Sequence, residues 1–181
     1  MHRPWPPIDE DARRDLCEAA AALDAAELAG RPADMSRALA RLAQCHGRLR
    51  AWAGAEVYLE MALRWARCTA STDGVVELLC ELSQTAALLA RAQDADRCGE
   101  GRAARERARD HAFEASTLAG RVADPAWEVK VLLRISDVLD QCGDHEDAAQ
   151  LQSRALRLLA GCGSAAAEAA QLPALGRLAD G

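Results

Sequence analysis

Residues 124–161 read DPAWEVKVLLRISDVLDQCGDHEDAAQLQSRALRLLAG, and this stretch holds one complete antiparallel pair of helices. Asp124-Pro125 opens the first helix, because an Asp side chain caps free N–H groups and proline is tolerated in the first turn. Apolar residues then recur at Val129, Leu132, Leu133, Ile135, Val138 and Leu139, the three-and-four spacing of one buried stripe. The pattern breaks at Cys142-Gly143-Asp144, and a second helix follows at once. Ala148, Ala149, Leu151, Ala155, Leu156, Leu158 and Leu159 give it a face of mostly small residues, which lets two helices approach closely. Gly161 and Gly163 are expected to end it.

Composition extends that reading to the whole chain. Its 181 residues suit one domain, and 50% hydrophobic with 28% charged residues is the balance of a globular protein with a real core. Alanine supplies more than a fifth of the residues and aromatics only 3%, so helix propensity is high and strand propensity weak. An all-α fold is expected. A net charge of -6 argues against a general nucleic-acid binder, which needs a concentrated basic face to displace counterions from phosphate. The start, Met1-His2-Arg3-Pro4-Trp5-Pro6-Pro7, has no apolar run behind it. It reads as neither a signal peptide nor a membrane anchor, and a cytoplasmic location is expected.

From the front, residues 1–8 form an extended lead-in, residues 9–172 one helical domain and residues 173–181 a tail. The first helix runs from Ile8-Asp9 to about Ala29 and stops at Gly30-Arg31-Pro32. Helices are then expected over Asp34–Arg50, Trp52–Cys68 and Asp73–Gln93, followed by a polar loop from Gln93 to Gly101. A charged helix from Arg102 to Arg121 carries Ala104, Ala108, Ala112, Ala115 and Ala119 on its small face. Its Arg102, Arg105, Arg107 and Arg109 read as a solvated face partly neutralised by Glu106 and Asp110, with a phosphate or acidic-partner patch as the alternative. A separate Ala-rich helix from Ser164 to Leu172 closes the domain at Pro173.

The pairs repeat. Ala148, Ala155 and Leu156 align with Ala55, Ala62 and Leu63, and with Ala108, Ala115 and Ser116; Ser136 aligns with Ser83 and Ala43. Ala108 to Ala148 spans 40 residues and Ser83 to Ser136 spans 53, the difference lying around the 93–101 insertion. Such self-similarity marks helical solenoids. Through Gly143-Asp144-His145-Glu146-Asp147-Ala148, Ala155-Leu156 and the Gly120 to Pro125 linker leading into Glu128, residues 34–161 resemble tetratricopeptide-like repeats of the longer bacterial type. The aromatic usual in the first turn of the second helix is Trp52 in one pair, but Arg105 and His145 in the others, where His145 is expected to pack rather than act as a base. The resemblance implies a right-handed α-solenoid of about three antiparallel helix pairs with flanking terminal helices.

No motif points to catalysis, a metal or a cofactor: a phosphate-cradling loop, a nucleophile elbow and a zinc-binding His-Glu arrangement are all missing. The seven cysteines, at 17, 45, 68, 80, 98, 142 and 162, lack the tight pairs of disulfide frameworks or zinc sites and read as free, buried thiols.

The resemblance also implies that the first helix of each pair lines a concave face. The residues expected there are Arg37, Arg41, Gln44 and Arg48 in the first pair, Glu77, Glu81 and Gln84 in the second, and Lys130, Arg134 and Asp137 in the third. They form polar rows that run positive, negative, then mixed, and suit a protein or peptide segment with acidic groups as partner. Lys130 and Arg134 stand where two basic residues of a carboxylate clamp would be. Ala40 and Glu81 replace a Lys and an Asn of that clamp, which disfavours a chaperone-tail binder. The alternatives are an oligomerisation adaptor acting through the terminal helices, as a homo-oligomer or with another domain, and a small-ligand sensor.

Overall fold

The computed structural model describes residues 10–69, 71–96, 99 and 101–175, with the backbone alone for residues 96 and 162–175. The expected lead-in, the start of the first helix at Ile8-Asp9 and the end of the tail lie outside those residues. All regular structure among the described residues is helical: α1 (Glu10–Ala29), α2 (Pro32–Arg48), α3 (Trp52–Ala66), α4 (Thr72–Asp96), α5 (Arg102–Ala119), α6 (Pro125–Cys142) and α7 (His145–Leu175).

The α6–α7 pair forms where its sequence places it. Asp124 caps α6 by accepting a hydrogen bond from the Trp127 N–H at 3.0 Å, and Pro125 takes the first helical position. At the far end Gly143 turns left-handed with φ 89°, a conformation that costs a residue with a Cβ, and the Asp144 N–H closes onto the Leu139 carbonyl at 2.9 Å. Leu132, Ile135 and Leu139 are fully buried, while Leu133 turns outward and is 43% exposed. In α7, Ala148 and Ala155 are buried, but Ala149, Leu156 and Leu159 are exposed. His145 does not pack in the core: its imidazole is exposed, with Nδ1 2.6 Å from Asp140 Oδ1.

Packing repeats the same logic along the chain. The most extensive contacts join α2 to α3, α4 to α5 and α6 to α7; α1 lies on α2, successive pairs meet as α3 on α4 and α5 on α6, and α4 also touches α6. Alanines at the crossings keep the pairs close: Ala55, Ala62, Ala108, Ala115, Ala148 and Ala155 are each at most 2% exposed. The aligned positions Ala43, Ser83 and Ser136 are buried too. Ser83 donates to the Ala108 carbonyl at 2.7 Å, which satisfies its hydroxyl across the α4–α5 contact. A Cβ on Gly54 would fall 2.7 Å from His46 Nδ1, so glycine lets α3 lie against the His46 ring, which also meets Tyr58.

Two boundaries differ from expectation by more than two residues. Helix α4 continues past Gln93 to Asp96, shortening the expected loop. Asp94 explains this: its carboxylate accepts the Gly101 N–H at 3.0 Å and pairs with Arg105, fastening the end of α4 to the start of α5. A Cβ on Gly101 would collide with the Ala90 carbonyl oxygen, so this junction requires glycine. Helix α7 does not stop at Gly161 and Gly163 but runs 31 residues to Leu175, through the position expected to interrupt it, Pro173. Each glycine costs a helix only about 1 kcal/mol relative to alanine, and the alanines on both sides favour continuation.

The cysteines at 17, 45, 68, 80 and 142 are free thiols. Cys45 and Cys80 are buried, whereas Cys17 and Cys68 are exposed; Cys98 and Cys162 lie outside the described side chains.

Candidate functional site

Eight of the ten residues expected on the inner face fall into two groups. In the first, three arginines of α2 are occupied within the chain. Arg37 pairs with Asp34 one turn away, Arg41 reaches Glu18 of α1 at 3.0 Å, and Arg48 reaches Asp15 of α1. Arg31 also pairs with Asp34, and these guanidinium groups hold the Asp34 carboxyl below its usual range. The acidic face of α1 lies along the basic row of α2, an answer that the sequence of α2 alone does not show.

In the second group, side chains from three helices converge. Gln44 comes from α2, Glu77, Glu81 and Gln84 from α4, and Arg134 from α6. The Arg134 guanidinium donates to Glu77 Oε2 at 3.3 Å and to Gln84 Oε1 at 3.4 Å, both long enough to be weak. Gln44 hydrogen-bonds to Glu81. Burial raises the Glu81 carboxyl above its usual range, and Arg134 and Gln44 only partly offset that cost. The neighbouring Cys80 thiol is buried and pushed up to about 11, chiefly by desolvation, so it stays protonated at neutral pH. Lys130 and Asp137 are exposed on α6.

Beside this cluster lies a pocket of about 260 Å³. Its apolar wall is Ala43, Gly47, Trp52, Leu59 and Leu88, and its polar rim is Gln44, Glu81, Gln84, Thr85 and Arg134. The Trp52 ring lies over Gly47, where an added Cβ would be 3.6 Å from it. Trp52 is the aromatic that the resemblance expects at the start of a second helix, but its place in the wall depends on the turn from α2 into α3. Thr85 and Leu88 were not singled out by sequence; they follow Glu81 at helical spacing, which is the signal that finds them.

Each of the four arginines of α5 pairs with a carboxylate. Arg102 pairs with Glu106 at 3.1 Å, Arg105 with Asp94, Arg107 with Glu56 of α3 at 2.8 Å, and Arg109 with Asp144 at 2.9 Å. Only the first of these uses the carboxylates next to it in sequence, and the others join α5 to its neighbours.

No described helix is long and apolar enough to cross a membrane. No protein-family model matches the chain, and no curated protein matches it in sequence. In structure it is similar to BtubC (BKLC) from P. vanneervenii, with a TM-score of 0.64 over 85% of this chain at 19% sequence identity. The chain spans 59% of the length of BtubC, so the likeness is one of helical fold over part of that protein.

Proposed function

We propose that the chain is a non-catalytic interaction module, a tetratricopeptide-like right-handed solenoid that binds a partner protein or peptide segment along the face made by α2, α4 and α6, in a regulatory or assembly role. The observation that carries this reading is the convergence of Gln44, Glu81, Gln84 and Arg134, from three consecutive first helices, around one pocket with an apolar wall. Polar groups held by weak internal bonds beside apolar surface can exchange those bonds for a ligand's at small cost. The α4–α6 end of the face is the stronger part of the site. An acidic partner at the α2 end has to displace Glu18 and Asp15 from Arg41 and Arg48; Lys130 offers a cation without that cost.

Selection of displayed peptides by the full chain tests the reading. Peptides that bind should lose affinity when Gln44→Ala and Gln84→Ala are combined, and keep it when Leu156→Glu and Leu159→Glu are combined. The reverse result transfers the function to the terminal helix and supports the adaptor reading. That second reading rests on Leu156 and Leu159, which are 65% and 49% exposed although their repeat equivalents are buried.

A further inference from the structure

The pocket beside Glu81 has a chemistry of its own. Two carboxylates, Glu77 and Glu81, face one guanidinium, Arg134, so the cluster has a formal charge of −1 before any partner arrives. We infer that this pocket receives a lysine or arginine side chain of the bound segment, its aliphatic stem along Trp52 and Leu88 and its charged head at Glu81. This deepens the reading of the face as a peptide groove and rests on it.

Three observations support a cation over an anion. An anion at Arg134 would have to take the place of the Glu77 carboxylate and would still face that of Glu81. Glu81 is half-buried at the pocket rim, and desolvation raises its carboxyl despite Arg134 and Gln44; a second cation in the pocket offsets that cost. The wall is apolar and carries an aromatic ring, the surface along which long basic side chains lay their stems while the head stays polar, and on which a cation also gains from the ring face. About 260 Å³ holds one such side chain and no folded element.

The test uses the full chain with three probes, Nα-acetyl-lysine amide, Nα-acetyl-arginine amide and Nα-acetyl-glutamate amide, followed by the Trp52 indole and Gln84 side-chain NMR signals, assigned through Trp52→Phe and Gln84→Ala. The two basic probes should shift these signals saturably and the glutamate probe should not. Glu81→Gln should weaken the basic probes at least fivefold, whereas Arg134→Gln should strengthen them, because it removes a competing cation. A merely structural role for the cluster would weaken binding in both variants. Equal shifts with the glutamate probe, no shift with any probe, or weakening by both substitutions overturns the inference. Because the probe specificity is measured on the unaltered chain, it decides the question even if a variant fails to fold. Displayed peptides that depend on Gln44 and Gln84 but carry no basic residue would sink the pocket assignment and leave the groove reading standing. Peptides indifferent to those residues, with probes that still bind at Trp52, would do the opposite.

Discussion

Leu63 of α3 and Leu156 of α7 stand at aligned positions of two helix pairs, 93 residues apart, yet Leu63 is 5% exposed and Leu156 65%. Ser116, the equivalent in α5, is 7% exposed. The difference is what comes next: α3 and α5 are each followed by a helix packed against them, α4 and α6, whereas among the described residues α7 packs chiefly on α6. Leu159 repeats the relationship, since its equivalents Ala66 and Ala119 are buried.

Truncation should therefore separate the two leucines. Leu63→Ala empties a site in the main core and is expected to cost about 2–5 kcal/mol. Leu156→Ala removes exposed surface and should change stability by no more than about 0.5 kcal/mol. Urea midpoints of the two variants check this. A loss for Leu156→Ala that grows with protein concentration would instead reveal that a second copy covers this face.

Ala155 is fully buried at the α6–α7 contact, where a larger side chain has no room. Ala155→Leu should overpack the crossing and cost on the order of 1–3 kcal/mol. An unchanged thermal midpoint would show that the helices separate freely to accept it.

Much of this arrangement was legible in local sequence, and the limit falls where interactions become long-range. Asp124, Pro125 and Gly143 bracket α6 by chemistry contained within a few residues, so both ends of that helix were readable. Ala148, Ala155 and their equivalents were readable because small side chains recur at close crossings. The pairing of Arg41 with Glu18, 23 residues away, and of Arg107 with Glu56, 51 residues away, was not, because nothing local distinguishes a solvated arginine from one answered by another helix. The same holds for the pocket: Gln44, Glu81 and Arg134 were each placed on an inner face, but their meeting point depends on how three pairs stack. Gly161 misled for a different reason, since a glycine signals a stop only when the chain beyond it prefers to leave the helix.

Glu56 and Arg107 join α3 to α5 through two hydrogen bonds of 2.8 and 3.0 Å, and Glu56 is only 7% exposed. The Glu56 bond in turn raises the Arg107 guanidinium further above its usual value. Arg107→Ala leaves a buried carboxylate without its partner, an imbalance expected to cost about 1–3 kcal/mol. Glu56→Gln combined with Arg107→Ala should recover part of that loss, because the uncompensated charge is gone. A double-mutant cycle measures the coupling; strictly additive losses would mean that the pair contributes nothing beyond its separate contacts.

His111 provides the pH dependence. It lies half-buried on α5, and desolvation lowers its imidazole below 6.5 despite the opposing pull of Glu114 and Asp110 on its own helix and of Glu56 and Glu60 on α3. The folded chain thus binds this proton less readily than the unfolded chain does. Between the lowered value and 6.5 the unfolded state carries more protons, so stability rises with pH across that window and is lost as pH falls through it. Urea midpoints taken from about pH 7 down to about pH 5 should decline for the unaltered chain. In His111→Asn, which keeps a polar side chain but cannot titrate, the decline should be shallower. Superimposable profiles would show that the four surrounding carboxylates accommodate the protonated ring as well as water does, and that burial at this position carries no cost for charge.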